Sequence, residues 1–378
     1  PVIRTIKRYM AWDEWSDVDL GGKRVLVIIG EHRPFTQRQK DALDNFCTGY
    51  NVVVYVNHLS NYHGIYSIQG NLLVSCGGLK HLNPDIIITI GGQTGDYSIY
   101  NALNLTKNTE HWRVCEDGNV VNTYNRLNKI FECPAFYFFN RMKKDMQVDH
   151  SYYEEWKNMN STMNYNVEVP FSNLYVAQQL YKDIPQNSIM NFAILNSLRS
   201  WSYFPLNTSI QGYANVAAFG IDGCNSMLIG ESMNTNEFCF IVTGDLAFFY
   251  DMNALGIRHI KNNVRILLVN NNGGAEFKIM TKKWKDNVNV DNFISANGHN
   301  GNAKGWAENC GFKYISAKNK EEFSNVKNEF INENFRPILF EVFTEEVDEV
   351  VALSEFIGKN KIVKSGDKIK AVVSSIVG

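Results

Sequence analysis

Short apolar runs separated by segments of helical periodicity organise the first part of the chain. The runs at 23–30, 51–56 and 85–92 are rich in Val and Ile, and residues 110–115 form a weaker fourth run. Residues 36–50, between the first two runs, place their apolar side chains on one face of a helix. Continuous apolar runs indicate strands buried on both faces. Such strands alternating with helices predict a doubly wound, mainly parallel α/β domain.

The second half of the chain repeats this pattern after a polar and aromatic linker with a helix, residues 145–169. A predicted helix over 171–181 comes first. The predicted strands that follow it are 191–195, 238–242, 264–269 and 337–343. We therefore expect two doubly wound, mainly parallel-sheet α/β domains, over 1–150 and 151–350, and a C-terminal tail over 351–378.

Two polar loops follow the runs at the centre of the second predicted sheet. Gly244 and Asp245 end the first run, and the sequence Asn-Asn-Asn-Gly-Gly at 270–274 ends the second. Residues 247–260 are predicted to form a helix, and parallel strands joined by a helix bring both loops to one carboxyl edge. A carboxylate oxygen, an amide oxygen and a backbone carbonyl suit Mg²⁺ that holds a diphosphate. Either loop alone is common turn chemistry, whereas the two together, one crossover apart, indicate a binding site.

Composition restricts the class of protein. The chain has 378 residues, of which 44% are hydrophobic, and a formal net charge of −2. This length predicts two or three domains with sizeable cores, and the charge gives no reason to expect nucleic acid or a membrane as partner. The seven cysteines are scattered and show no Cys-x-x-Cys spacing. Free thiols and a cytoplasmic location are therefore expected.

At the two polar loops the chain resembles the thiamine-diphosphate enzymes, whose Gly-Asp and Asn-Asn motifs bind Mg²⁺ and the diphosphate of the cofactor. It is most similar to the middle and C-terminal domains of the MenD-type synthases, which make 2-succinyl-5-enolpyruvyl-6-hydroxy-3-cyclohexene-1-carboxylate. Leu246, where most thiamine-diphosphate enzymes have glycine, is a trait of that group. The matching segments are 196–198, Asn215 with 220–223, 244–246, 250–255, and 270–274 with Phe277.

The resemblance implies a role for each matching position. Asp245, Asn271 and the carbonyl of Gly273 would be the Mg²⁺ ligands, and thiamine diphosphate would be the cofactor. The residues expected to bind the cofactor are Ser197, Phe219, Gly220, Ile221, Asp222, Gly223, Gly244, Leu246, Asn272, Gly274 and Phe277.

Some of these positions have more specific expectations. Phe219 or Ile221 would support the cofactor in its bent, reactive shape, and Phe277 would line the substrate side. Gly274 and the glycine before it would let the backbone approach a phosphate closely. For Ser197, an ordinary helix N-cap before the next residue is an equally good interpretation.

Positive groups with which the MenD-type synthases bind acidic substrates are missing here. Val216 and Trp201 stand at positions where those synthases have arginines, although Arg199 lies nearby in sequence. The basic pair of the middle-domain turn becomes Asp96 and Tyr97. Arginine suits bidentate contacts with carboxylates. A substrate pair different from 2-oxoglutarate and isochorismate is therefore expected.

Other candidate chemistry is weaker. Glu276 adds negative charge to the expected substrate pocket. His259 is expected on a solvated helix face, and His299 is expected to be an ordinary loop histidine, although it could reach a substrate. The Asn- and Gly-rich residues 281–302 would form either a mobile lid or a surface loop. The glycine-rich residues 91–95 lack the spacing of a dinucleotide-binding loop, so a strand-to-helix turn is expected there.

The glutamate that activates the cofactor is expected outside these two domains. In the thiamine-diphosphate enzymes it lies on a separate pyrimidine-binding domain and promotes loss of the thiazolium C2 proton. The chain opens at Pro1 directly on middle-domain sequence. We therefore expect a fragment that lacks the pyrimidine-binding domain, the alternative being a domain supplied by another polypeptide. Because the site would lie at a subunit interface, a homo-oligomer is expected.

The leading hypothesis is the cofactor-binding part of a 2-oxoacid decarboxylase or carboligase, a lyase or transferase of carbon–carbon bonds that acts on a small 2-oxoacid. The second hypothesis is a noncatalytic or regulatory module of the same fold. The missing arginines favour this second hypothesis, and the intact metal set opposes it. The third is a nucleotide-binding oxidoreductase, which the missing glycine fingerprint opposes.

Overall fold

The computed structural model describes residues 5–146, 148–280, 298–332 and 335–362, except the side chains of Phe277 and Met280. It contains two sheets, one of seven strands and one of six, and every described strand pair in both is parallel. The prediction of two parallel-sheet α/β units is confirmed.

The first sheet has the strand order β1-β7-β6-β5-β2-β3-β4. Its strands are β1 (Lys7–Met10), β2 (Val25–Ile29), β3 (Val52–Val56), β4 (Ser67–Gln69), β5 (Ile86–Ile90), β6 (Glu110–Cys115) and β7 (Leu127–Glu132). The helices around it are α1 (Gln37–Thr48), α2 (Asn71–Ser75), α3 (Tyr97–Asn104), α4 (Ala135–Met142) and α5 (Ser151–Asn160), with 3₁₀ turns at His58–Ser60 and Gly78–Lys80. The strand order reverses between β2 and β5, which makes their carboxyl ends the switch point of this sheet.

The second sheet has the strand order β12-β13-β11-β10-β8-β9. Its strands are β8 (Ile189–Phe192), β9 (Gln211–Ala214), β10 (Cys239–Gly244), β11 (Val264–Asn270), β12 (Lys313–Ala317) and β13 (Ile338–Phe343). The described helices are α6 (Asn173–Leu180), α7 (Asn196–Ser202), α8 (Cys224–Ser232), α9 (Asp245–Tyr250), α10 (Glu276–Met280), α11 (Lys304–Asn309), α12 (Lys320–Asn332) and α13 (Glu346–Asn360), with a 3₁₀ turn at Met252–Gly256. β10 and β11 lie inside the sheet, as their apolar runs predict.

The helix predicted over 247–260 is wrong in extent. α9 ends after Tyr250, and a 3₁₀ turn follows it. The cause is Asp251, whose carboxylate accepts hydrogen bonds of 2.7 Å from both the backbone N–H and the hydroxyl of Ser226. These bonds hold Asp251 outside the helical conformation (φ −124°). His259 is exposed, as expected, but lies in a turn beyond this break.

The two halves of the chain are joined by buried hydrogen bonds. Nε2 of His58 donates to the carbonyl of Trp201 across 2.9 Å. The side-chain amide of Asn61 donates to the Gly212 carbonyl (2.9 Å), and its oxygen accepts from the Gly212 N–H (2.8 Å). A Cβ at Gly212 would lie 2.3 Å from the His58 carbonyl, so the close approach of the two backbones requires glycine. One continuous apolar cluster contains residues of both sheets, which fixes the sheets relative to each other.

The domain boundaries of the sequence analysis remain predictions. α5 begins at Ser151 but packs on the first sheet, where Tyr152 donates to the carbonyl of Leu82 (2.8 Å) and the ring of Trp156 meets Tyr55. α13 runs through position 350 without interruption. The expected loop over 281–302 and the tail after 362 lie largely or wholly outside the described residues.

Two predictions from composition concern the chain as a whole. All seven cysteines are free, and five of them are buried, which confirms the expected thiols. In the described ranges no helix combines the length and apolar character needed to span a membrane.

Candidate cofactor and metal site

The two polar loops lie together at the carboxyl edge of the second sheet. β10 and β11 pair in parallel with Gly244 opposite Val269, so the chain leaves both strands at the same level. The backbone N–H of Gly273 then donates to Oδ2 of Asp245 across 3.0 Å. The two segments that the sequence places one crossover apart are therefore in direct contact.

Asp245 is a buried carboxylate with three hydrogen-bond donors around it. Its residue surface is 2% exposed. Besides Gly273, the backbone N–H of Leu246 donates to Oδ1 (2.8 Å), and Nε2 of His299 lies 3.0 Å from Oδ2. Burial raises the pKa of Asp245, and these donors only partly offset that effect. Because a carboxylate has about four acceptor sites, room remains for one further ligand.

The three asparagines at the end of β11 and directly after it have three different roles. The amide of Asn270 turns inward and donates to Oε1 of Glu341 (2.8 Å) and to the carbonyl of Gly301 (3.0 Å). Oδ1 of Asn271 is buried and has no hydrogen-bond partner among the described residues. Asn272 is exposed and takes the left-handed conformation with φ +69°. A buried hydrogen-bond acceptor without a partner costs free energy. Oδ1 of Asn271 is therefore the atom at this site that a cation would satisfy.

The oxygen atoms of this site suit a Mg²⁺ ion that also binds a diphosphate. The set offers one carboxylate, one unpartnered amide oxygen and backbone carbonyls, which are the hard oxygen ligands that Mg²⁺ prefers. In the described part of the chain no group of three or more His, Cys, Asp or Glu could hold a metal. A single carboxylate binds Mg²⁺ weakly by itself, so ligand phosphates would have to complete the shell.

Glycines leave open space next to this set. Apart from its chain neighbours, a Cβ built at Gly244 or at Gly223 meets no atom of the described residues within 4 Å. Gly223 has φ +70° and precedes α8, and a Cβ at Gly220 would instead lie 2.2 Å from Oδ1 of Asp222. The carbonyls of Gly220 and Asp222 are each 3.4 Å from the side-chain amide of Asn215. The expected cofactor loop 220–223 is thus a tight turn that a ligand could approach.

Two residues with strained backbone precede the expected cofactor segments. Leu195, before Asn196, has φ +67°, and Phe219, before Gly220, has φ +54°. The other non-glycine residues with positive φ in the described ranges are all asparagines, which tolerate this region far better. Strain of this kind persists where the surrounding structure fixes it, and it is common at functional sites.

Phe219 and Ile221 both pack against the apolar cluster that joins the sheets, but their other neighbours differ. The ring of Phe219 meets Tyr97 of the first half edge-on, with centroids 5.7 Å apart. Ile221 packs against the apolar cluster that includes Ala247 and Phe248 of α9. Ile221 is therefore the better placed of the two to support a ligand at the Asp245 side.

Ser197 does not cap its helix. α7 begins at Asn196, Leu195 takes the cap position, and no side chain makes a capping bond, so the N-cap interpretation is wrong. Ser197 is 3% exposed, and its Oγ lies 3.4 Å from the amide of Asn173. The helix start is fixed instead by Glu349, which accepts from the amide of Asn196 (2.9 Å) and the N–H of Asn173 (2.9 Å).

Two of the four positions that lack the family's positive groups lie in the interior, whereas Tyr97 is 36% exposed. Val216 and Trp201 are fully buried in the apolar cluster that joins the sheets. Asp96 caps α3 by accepting from the N–H groups of Ser98 and Ile99, and it also binds the hydroxyl of Tyr55. None of the three positions therefore offers a substrate a free positive group.

Arg199 and Glu276 form a bidentate ion pair next to this site. Nη1 lies 2.8 Å from Oε2, and Nη2 lies 2.6 Å from Oε1. Arg199 is thus present near the candidate site, but Glu276 engages the Nη1–Nη2 edge of its guanidinium. The helix α10 that carries Glu276 also carries Phe277, whose side chain lies outside what the structure describes.

A cavity of about 600 Å³ lies at the switch point of the first sheet. Glu31, Arg113, Tyr124, Phe219 and residues 91–97 are among its lining. Residues 91–95 connect β5 to α3, which confirms the predicted strand-to-helix turn.

Three residues that organise the site have no strong signal in the sequence. Glu341 holds Asn270, Glu349 holds Asn196, and His299 contacts Asp245. His299 lies in a loop, as expected, and its ring also contacts the Asp245 carboxylate. A glutamate inside the apolar run 337–343 is the one local clue, because a buried charge needs partners.

Comparison with known proteins gives one consistent result. No protein-family model matches the chain. The 2-succinyl-5-enolpyruvyl-6-hydroxy-3-cyclohexene-1-carboxylate synthase of Christiangramia forsetii is 31% identical over 368 residues, which cover 91% of this chain and 61% of that protein. Proteins of the same name from Phocaeicola vulgatus (31% identity, 73% of this chain, 50% of theirs) and Flavobacterium johnsoniae (26%, 91% and 63%) also match. The chain spans half to about 63% of the length of these relatives.

Proposed function

Because the homologues of this chain are MenD-type synthases, which are thiamine-diphosphate enzymes, we propose that it is the cofactor- and Mg²⁺-binding part of a 2-oxoacid decarboxylase or carboligase. The observation that carries this proposal is the contact between the Asp245 carboxylate and the loop of Asn271 and Gly273. The buried Oδ1 of Asn271, which has no hydrogen-bond partner among the described residues, also supports the proposal.

Each residue of the site would have a defined task. Asp245, Asn271 and the carbonyl of Gly273 would hold Mg²⁺, and the open space beside Gly244 would admit the diphosphate. When bound, thiamine diphosphate supplies the nucleophilic carbon and the electron sink that decarboxylation of a 2-oxoacid needs. Ile221 would support the cofactor through its packing on the α9 cluster.

The substrate would differ from that of the MenD-type synthases. Val216 and Trp201 are buried apolar groups, and Asp96 is a helix cap. Without arginines at these positions, the site would bind dianionic substrates less well, because arginine supplies bidentate contacts that suit carboxylates. We therefore propose a small 2-oxoacid that differs from 2-oxoglutarate.

Activity would also need a group that these residues do not supply. A glutamate on a pyrimidine-binding domain would activate the cofactor from the other side, and a subunit interface would bring it into place. The pyrimidine-binding domain, the homo-oligomer and the reaction of the whole protein are parts of this proposal.

Calorimetric titration of the chain with thiamine diphosphate and with inorganic pyrophosphate, each with and without MgCl₂, tests the proposal. We expect binding of both ligands that depends on Mg²⁺. Asp245→Ala should weaken both about tenfold or more, whereas Asp41→Ala, an exposed carboxylate on α1, should leave them unchanged. Wild-type chain that binds neither ligand at millimolar Mg²⁺ would contradict the proposal.

A further inference from the structure

Arg199 and Glu276 form a bidentate ion pair, which is the strongest arrangement of an arginine and a carboxylate. Both side chains are 14% exposed, and two parallel N–H···O bonds connect them. Burial disfavours the charged guanidinium, but the hydrogen bonds and charge of Glu276 outweigh burial and raise the pKa of Arg199. Arg199 therefore stays charged, and Glu276 occupies two of its five N–H donors, those of the Nη1–Nη2 edge.

The pair connects the two segments that carry the candidate site. Arg199 lies on α7, two residues after Ser197, and Glu276 begins α10, two residues after Gly274. Arg199 also borders a small cavity of about 20 Å³ with residues 95–97 of the first half. Among the residues that line this cavity, Arg199 is the one cation. The guanidinium thus lies where both site segments and both sheets meet.

We infer that Glu276 is a specificity residue that denies Arg199 to anionic substrate groups, so that the 2-oxoacid taken by this site carries an uncharged side chain. The inference rests on the proposed function, since it places the pair on the substrate side of the cofactor. Arginines of the related synthases are missing from this site, and Glu276 in addition neutralises one that is present, Arg199.

Competition between the internal and an external carboxylate decides the outcome. Glu276 is attached to the same chain and meets Arg199 at an effective concentration of about millimolar or higher. A substrate carboxylate would have to separate the bidentate pair and leave Glu276 beside it as a second negative charge. Such like-charge contacts are a common means of excluding an unwanted ligand. An uncharged substrate side chain meets no such penalty.

The same physics predicts a gain of binding when Glu276 is removed. Glu276→Ala frees both nitrogens of the fork and leaves space where the carboxylate was. The experiment titrates glutarate, an unreactive dicarboxylate, into the chain without thiamine diphosphate. We expect glutarate to bind Glu276→Ala at least about tenfold more tightly than wild type, and the double variant with Arg199→Met to lose this gain. Glutaramide, the uncharged diamide, should bind none of the three.

A matched control removes a different ion pair from the same helix. Lys278 of α10 pairs with Glu346, and Lys278→Gln leaves Arg199 engaged. This variant should bind glutarate no better than wild type. Circular dichroism shows whether each variant is folded, and Glu276→Gln, which keeps the side-chain volume, replaces Glu276→Ala if the latter unfolds.

Two results would overturn the inference. The first is wild-type chain that binds glutarate as tightly as Glu276→Ala, because Glu276 would then exclude nothing. The second is a folded Glu276 variant without any gain, because Arg199 would then be out of reach of a ligand. Neither result depends on the cofactor. Wild-type chain that does not bind Mg²⁺–pyrophosphate would instead contradict the proposed function alone.

Discussion

The N–H of Gly273 donates to Oδ2 of Asp245 across 3.0 Å, and this bond closes the loop after β11 on the carboxylate after β10. Nε2 of His299 lies 3.0 Å from the same oxygen. The carboxylate is therefore oriented by its own chain. A site that is ordered in advance loses less conformational entropy on binding, so a cation would meet a carboxylate that is already held in place.

Asn271→Ala should lower the affinity for the ligand without lowering the stability of the fold. Oδ1 of Asn271 is buried without a described partner, so its removal costs no hydrogen bond there. We expect the free energy of unfolding in urea to stay within about 0.5 kcal/mol of wild type or to rise. Affinity for Mg²⁺–pyrophosphate should fall about tenfold or more. Unchanged affinity in a folded variant would remove Asn271 from the proposed metal set.

Asn270→Ala, at the preceding position, is the matched comparison. The amide of Asn270 donates to Glu341 and to the Gly301 carbonyl, and its oxygen accepts from the N–H of Asn272. Its removal leaves buried partners unsatisfied and should lower the free energy of unfolding by about 1–3 kcal/mol. In the same urea titration, Asn270→Ala should thus lower the free energy of unfolding, whereas Asn271→Ala should not.

Gly244→Ala should weaken ligand binding without harming the fold. A Cβ at this position meets no protein atom within 4 Å, so the free energy of unfolding should change by less than about 0.5 kcal/mol. If a diphosphate occupies that open space, the methyl group should reduce Mg²⁺–pyrophosphate affinity about tenfold, or about 1.4 kcal/mol. Gly305→Ala on α11, where a Cβ is equally unhindered, should leave the affinity unchanged and raise the free energy of unfolding by about 1 kcal/mol or less. Equal affinities for the two variants would place the diphosphate elsewhere.

The strands at the centres of the sheets are predictable from the sequence, and the edge strands are not. β2, β3, β5, β10, β11 and β13 are continuous apolar runs because both faces of each are buried. No apolar run predicts β1, β4, β9 and β12, which are the four edges of the two sheets, or β7, which lies inside the first sheet between β1 and β6. An edge strand pairs on one side only and can be short and polar, as Ser67–Gln69 is.

The candidate site divides in the same way. Asp245 and the loop at 270–274 are predictable because each follows a recognisable strand and parallel topology brings strand ends together. The supports Glu341, Glu349 and His299 come from far along the chain, 71, 153 and 54 residues from the groups they contact. Their partners are set by tertiary packing, which no local pattern encodes.

Glu349→Gln tests the buried support of α7. Glu349 accepts from the N–H of Asn173, the amide of Asn196 and the hydroxyl of Thr344. Glutamine would direct an N–H₂ group at one of these donors, so the free energy of unfolding should fall by about 1–3 kcal/mol. Asn196→Asp in the same chain restores a donor–acceptor match. A double-mutant cycle in urea should show a favourable coupling of about 0.5–3 kcal/mol, and strict additivity would mean that Glu349 does not support Asn196.

His58 should make the stability of the chain depend on pH in the acid range. Its ring stacks on Phe192 and its Nε2 donates to the Trp201 carbonyl, and burial lowers its pKa from 6.5 to about 4. Between these two values the unfolded chain binds a proton that the folded chain does not. Acidification therefore favours the unfolded state. The contribution of His58 to stability is complete above pH 6.5 and falls by about 1.4 kcal/mol per pH unit at most as the pH drops towards 4.

His58→Gln keeps a side-chain N–H for the Trp201 carbonyl and removes the titrating ring. We expect its free energy of unfolding, measured in urea at intervals from pH 7 to about pH 4.5, to fall less steeply than that of wild type. The difference between the two slopes should approach one proton in this window. His259→Gln, at an exposed position, should follow the wild-type curve. Parallel curves for wild type and His58→Gln would mean that His58 is protonated in the folded chain as readily as in the unfolded one. The buried interface between the two sheets would then accommodate a charged imidazole, which contradicts the expectation from its packing.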